Sequence, residues 1–300
     1  MARVRIATRG SRLALWQADW VKQKLLRQGV QVELVVVETQ GDREDLPFAQ
    51  MQGQGFFTKA VQEALLAGEA DLAVHSYKDL PSTCPEGLEI AAVPPREDPS
   101  EALLVRSHAL DERAPALPLR TGIQVGTSAV RRQAQLKQLR PDLEPRELRG
   151  NVPTRVDKLR RGDYDAILLA RAGLKRLALD LSGLYLRVLP PTLLVPAPAQ
   201  GALALECRQD DHRLKALLGP LDDPQARRTV AAERGLMRKL AGGCQLALGA
   251  LAQETPQGLT LLAWYGGKRY QAQAPSPETV AQAVFQQIKA DNPEVVCELP

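Results

Sequence analysis

The chain has 300 residues, enough for two or three domains, and its 44% hydrophobic and 25% charged content excludes a disordered or fibrous protein. No apolar run approaches the roughly 18 residues that span a bilayer, and Met1–Ala7 lacks a signal-peptide pattern, so a cytoplasmic protein without a membrane partner is expected. The net charge is only +4, but positions 120–176 hold fourteen Lys and Arg against six Asp and Glu, which points to an anionic ligand.

Val4–Thr8 predicts a first strand, Arg9-Gly10-Ser11 a turn, and Leu13–Leu26 a helix with apolar spacing. Strand, small-residue turn and helix together place backbone N–H groups and a helix start beside an anion, with Arg9 and Ser11 in reach. Val32–Val37 predicts a buried parallel strand. The polar stretch from Thr39 to Gly55 predicts a loop covering a site, and Phe56–Leu66 a helix. Ala70–Ser76 predicts another strand, leading directly to Lys78 and Asp79. Ligands of open α/β sheets bind at such strand ends, where a carboxylate can act as acid, base or stabiliser of positive charge.

The proline-rich run Ala91–Pro99 predicts a crossover into a second domain. Strands are expected at Glu101–Val105 and Gly122–Gly126. Thr127 or Ser128 should then cap a helix over Val130–Leu139. Arg131 and Arg132 fall in its first turn, where the dipole disfavours cations, so an anionic ligand is expected there. Leu148–Arg155 repeats the plan with a turn, Pro153 and two arginines. Tyr164–Leu169 predicts a strand and Arg171–Leu177 a helix. Thr192–Ala199 crosses back, and Gln200–Cys207 predicts a strand rejoining the first sheet. Two α/β lobes joined by two crossings suggest a hinged binding-protein layout with the ligand between the lobes.

The pattern changes after Asp222. Pro224–Leu240 predicts a helix, Leu246–Gln253, Leu259–Tyr265 and Arg269–Ala274 predict antiparallel strands, and Pro277–Ala290 a last helix. The expected fold class is therefore α/β: two hinged binding-protein-like α/β domains (1–96 with 198–219, and 97–197) plus a small C-terminal α+β domain (220–300). Gly242-Gly243 after the long helix puts Cys244 on a tight loop with little bulk beside it, which suits a thiolate that must carry something large. The cysteines Cys84, Cys207, Cys244 and Cys297 form no CxxC pair, so no metal is expected.

Several stretches occur together in one order: Arg5-Ile6-Ala7-Thr8-Arg9, His75-Ser76-Tyr77-Lys78-Asp79-Leu80-Pro81, Val125-Gly126-Thr127-Ser128 with Arg131-Arg132, Leu148-Arg149-Gly150-Asn151, Ala172-Gly173-Leu174-Lys175-Arg176, and Gly242-Gly243-Cys244. In order and spacing the chain resembles the porphobilinogen deaminase (hydroxymethylbilane synthase) family along essentially its whole length. The resemblance implies a three-domain, monomeric transferase of tetrapyrrole and haem biosynthesis. Such an enzyme joins four porphobilinogen molecules head to tail, loses ammonia at each addition, and frees hydroxymethylbilane by hydrolysis.

The resemblance also implies a covalent dipyrromethane cofactor, attached here as a thioether to Cys244. Asp79 would be the catalytic carboxylate. Arg9, Ser11, Lys78, Thr127, Ser128, Arg131, Arg132, Arg149, Gly150, Arg155, Arg176 and Gln200 would hold cofactor and substrate, whose acetate and propionate groups suit the bidentate fork of arginine. The chain departs from the family pattern at Gln50 and Gln54, where lysine is common, and at Ala129, where serine is common. A lobed binding protein gives Cys244 and Asp79 no task. A cysteine hydrolase has no favoured partner among His75, His108 and His212, and a nucleic-acid binder lacks the usual motifs, so no nucleic-acid partner is expected.

Overall fold

The computed structural model describes residues 3–38, 58–240 and 246–293. The covering loop expected over 39–55, with Gln50 and Gln54, and the Gly242-Gly243-Cys244 turn lie outside these residues. The chain divides into two compact units, one of 1–97 with 201–230, the other of 98–200 with 231–300.

The first unit is built on a sheet of β1 (Arg3–Arg9), β2 (Gln31–Val37), β3 (Leu72–Ser76), β4 (Leu88–Ala92) and β10 (Leu203–Arg208), in the order β2-β1-β3-β10-β4. β1 runs parallel to β2 and β3, and β10 is antiparallel to β3 and β4. Alternation along the strands fills both faces. Val4, Ile6, Leu72 and Val74 meet α1 (Arg12–Leu26) and α6 (His212–Leu218), while Ala7 and Ala73 meet α2 (Lys59–Leu66). β2 is parallel, as its apolar run suggests, but it is the sheet edge and only partly buried, with Val36 exposed. An edge strand has one neighbour to cover it, which the run of valines does not reveal.

The second unit contains a sheet of β5 (Glu101–Arg106), β6 (Gln124–Gly126), β7 (Glu144–Arg146), β8 (Ala166–Ala170) and β9 (Leu184–Leu189), in the order β7-β6-β8-β5-β9. Here β6 is parallel to β7 and β8, and β5 is antiparallel to β8 and β9. The two five-stranded sheets thus share one plan, three parallel strands, an antiparallel fourth and a last strand beyond it. On β5, Leu103 and Val105 pack toward α3 (Val130–Leu139), whereas Ala102 and Leu104 pack toward α4 (Val152–Arg161) and α5 (Arg171–Leu177).

The same unit holds a separate antiparallel sheet, β11 (Gly249–Thr255), β12 (Gly258–Tyr265) and β13 (Lys268–Ala274). Its core lies against α8 (Pro277–Asp291) and the later turns of α7 (Pro224–Lys239). This small sheet is fastened to the 190–200 crossing. Ala250 donates its N–H to the Pro196 carbonyl at 2.9 Å, and a Cβ on Gly249 would stand 2.8 Å from Val195, so only glycine fits there. Glu233 of α7, fully buried, accepts from the Ala199 N–H at 2.6 Å and the Ala252 N–H at 2.8 Å.

No helix among the described residues is long and apolar enough to cross a membrane. Replacing Glu233 by Ala strands two buried donors, each costing about 1–3 kcal/mol. Glu233→Ala should therefore lower unfolding stability by about 2–6 kcal/mol in a denaturant titration, and a loss under 1 kcal/mol would contradict this pinning.

Candidate active site

In the first unit the site grows from the carboxyl ends of β1 and β3. Arg9 ends β1, and Ser11 caps α1 by accepting from the Ala14 N–H at 3.3 Å. β3 runs into a single 3-10 turn over Tyr77–Asp79, which projects Lys78 and Asp79 beyond the sheet edge, both partly buried. Arg9, Ser11 and Asp79 line one cavity of about 80 Å³, together with Gln17, Thr58, His75 and Ser76. Gln17 donates through Nε2 to Ser76 Oγ at 2.8 Å, tying α1 to the end of β3. Gln17 and Ser76 are site residues that sequence reasoning missed. Gln17 shares the cavity face of α1 with Leu13 and Ala14, and that spacing is the signal that could have found it.

In the second unit the basic residues gather where β6, β7 and β8 lead into helices. Thr127 is fully buried, donating its N–H to the Arg146 carbonyl at 2.7 Å. Neither Thr127 nor Ser128 caps α3 as expected. The cap position is Ala129, with no side-chain bond, because Ser128 Oγ is spent on Leu148, donating to its carbonyl at 2.7 Å and accepting from its N–H at 3.0 Å. That pair of bonds joins the start of α3 to the loop carrying Arg149 and Gly150. Gly150 has φ +102°, and a Cβ there would meet Thr154 Cγ2 at 2.8 Å, so glycine is required on both counts. Asn151 caps α4 by accepting from the Thr154 N–H at 3.1 Å, and Pro153 sits in the first turn. Arg155 Nε donates to the Gly150 carbonyl at 2.6 Å, while Arg149 pairs with Glu147 at 2.7 Å and stays partly exposed.

The anion that meets Arg131 and Arg132 inside the fold is the chain's own Glu101. This carboxylate is fully buried at the head of β5, 2.5 Å from Arg131 Nη2 and 2.7 Å from Arg132 Nη2. Each guanidinium also donates to a backbone carbonyl, Arg131 to Val195 at 2.6 Å and Arg132 to Leu168 at 3.0 Å. Burial presses the Arg131 guanidinium toward losing its charge, and Glu101 opposes this. Two cations share one carboxylate, and Arg132 Nε is buried without a hydrogen-bond partner among the described residues. Sequence reasoning missed Glu101. An acid opening the apolar strand Glu101–Arg106 was the available signal.

Arg176 is buried on α5, and Gln200 is fully buried, donating to the Pro99 carbonyl at 2.7 Å, where it fastens one crossing to the other. Of the cysteines, Cys207 lies in the core of the first unit, and burial pushes its thiol up to about 11, which disqualifies it as a nucleophile at neutral pH. No cluster of metal-ligating side chains occurs among the described residues. Removing the charge of Glu101 leaves two buried guanidiniums facing each other. Breaking a buried pair costs about 3–5 kcal/mol, so Glu101→Gln should lose that much stability in equilibrium unfolding.

Residues 4–216 match the family described as "Porphobilinogen deaminase, dipyromethane cofactor binding domain". A porphobilinogen deaminase of Syntrophotalea carbinolica is 46% identical over 288 residues, covering 94% of this chain and 89% of that protein. One of Geobacter sulfurreducens is 45% identical over 262 residues, covering 86% and 80%. Among solved structures, an ancestral cationic amino acid solute binding protein superposes with a TM-score of 0.46 at 15% identity, covering 73% of this chain and 88% of that one. A BvgS VFT2 domain of Bordetella pertussis gives 0.43 at 16% identity, covering 72% and 84%.

Proposed function

Because the chain belongs to the porphobilinogen deaminase family, we propose that it joins four porphobilinogen molecules head to tail, releasing one ammonia per addition, and frees hydroxymethylbilane with water. The observation that carries this reading is the meeting of Arg9, Ser11 and Asp79 around one cavity at the ends of β1 and β3. Loss of ammonia from the aminomethyl group leaves an electron-poor cation on the substrate. Asp79 stabilises that cation through its carboxylate and takes up the proton shed when a new pyrrole carbon bond forms. Arg9 and Lys78 hold substrate carboxylates, and Ser11 supplies a hydroxyl beside them.

The dipyrromethane cofactor, carried as a thioether by Cys244, supplies the pyrrole carbon from which the chain starts. Arg131, Arg132, Arg149, Arg155 and Arg176, with Thr127, Ser128 and Gly150, hold its acid side chains. The residues suit a polyanion: two guanidiniums against the single carboxylate of Glu101, and a buried Arg132 Nε with a bond to give. Gln200 joins this set, its side chain also bonded to the Pro99 carbonyl. The reading extends to a cytoplasmic monomer of haem and tetrapyrrole biosynthesis, acting without nucleic acid or membrane. It also retains three domains, 1–96 with 198–219, 97–197 and 220–300, in line with three separate sheets.

Intact mass tests the reading most directly. The purified protein should exceed its chain mass by two linked pyrrole units, and Cys244→Ser should not. A bare mass that stays bare after incubation with porphobilinogen would sink it. Asp79→Ala should bring turnover down at least a thousandfold while the far-ultraviolet circular dichroism is kept, as expected of a group acting on the reacting atoms. Near-normal turnover would remove Asp79 from its role.

A further inference from the structure

Three polar side chains from three elements meet on one face of the first sheet, beneath the cavity. The antiparallel register sets Ala204 opposite His75 and Glu206 opposite Ala73. His75 and Glu206 are therefore diagonal neighbours on the same face, with two alanines leaving them room. Glu206 is fully buried, and Gln62 of α2 donates its Nε2 to both carboxylate oxygens, at 2.9 and 3.2 Å. No Lys or Arg among the described residues pairs with this carboxylate. His75 Nε2 stands 3.0 Å from Glu206 Oε2, buried, in a charge contact that does not have hydrogen-bond geometry, and it makes no hydrogen bond among the described residues.

A carboxylate only accepts, and its negative charge 3.0 Å from Nε2 favours the tautomer that carries its proton on that nitrogen. That tautomer leaves the lone pair on Nδ1. His75 also lines the cavity with Arg9, Ser11 and Asp79. We propose that Glu206 and Gln62 fix the His75 tautomer so that Nδ1 accepts a hydrogen bond from an N–H group of the ligand bound beside Asp79. The inference rests on the functional reading above, in which the substrate carries two such donors, its pyrrole N–H and its aminomethyl group. Asp79 and His75 then divide the work. The carboxylate meets positive charge, while the imidazole reads an N–H edge and sets the ring's orientation.

The chain has only three histidines, so ¹⁵N-histidine labelling of the full protein gives a readable spectrum, with His75→Asn assigning the signal. Long-range ¹⁵N–¹H correlation should place Nε2 in the protonated range and Nδ1 in the unprotonated range. Addition of porphobilinogen to Asp79→Asn, a variant expected from the reading above to hold the substrate with turnover suppressed, should shift Nδ1. Glu206→Gln should mix the two tautomers and lower kcat/KM about tenfold, the worth of one hydrogen bond, with the fold kept. If Glu206→Gln does not fold, the tautomer and the ligand shift are read on the native side chains alone. A proton on Nδ1, or an Nδ1 signal that porphobilinogen leaves unmoved while the wild type turns over normally, overturns the contact and spares the functional reading. A wild type that fails to convert porphobilinogen while Nδ1 still responds to it overturns the functional reading and keeps the contact.

Discussion

A carboxylate sealed from water must be matched, and in the second unit Glu101 is matched twice. Arg131 and Arg132 share it, and each sends a second bond to a backbone carbonyl of a different segment, Val195 and Leu168. The cluster therefore fixes the head of β5, the first turn of α3, the middle of β8 and the 190–200 crossing against one another. Its cost is the desolvation of three charges, which four hydrogen bonds offset, two to Glu101 and two to backbone carbonyls.

The first unit handles polarity differently. Its buried acid, Glu206, lies against Gln62 and His75, with no Lys or Arg paired to it among the described residues. Its cavity-lining groups sit at the ends of β1 and β3, where a strand stops and a short turn follows. The site is thus rigid at its base and polar at its mouth. Ser11 shows the economy of this arrangement, since one hydroxyl both caps α1 and borders the cavity.

Much of this was legible in the sequence, because local chemistry and fold agree along most of the chain. The unbroken apolar runs of 102–105 and 166–169, the breaks at the prolines of 94–99, and the return of 203–207 to the first sheet all follow from side-chain pattern and proline geometry. What escaped has physical reasons. β7 and β9 carry Pro145 and Arg187 in short stretches whose side chains stay half-exposed, so periodicity is weak there. β4 was hidden because its Glu89 reads as loop chemistry. Capping failed at Thr127 and Ser128 because a tertiary partner, the Leu148 backbone, outcompeted the local one. Glu101, Glu206 and Glu233 were not singled out, since the reading followed the cations and passed over the acids buried among them.

The shared strand plan of the two sheets has a consequence for how the chain is made. All five strands of the second sheet lie between Glu101 and Leu189, so that sheet is complete in one uninterrupted stretch. The first sheet is not. Among the described strands β4 has β10 as its only neighbour, and β10 ends at Arg208, more than a hundred residues later. On a ribosome the amino-terminal sheet must wait, three strands formed and the fourth place empty, while the later-encoded sheet emerges and closes. The part of the chain synthesised first is the part that finishes second.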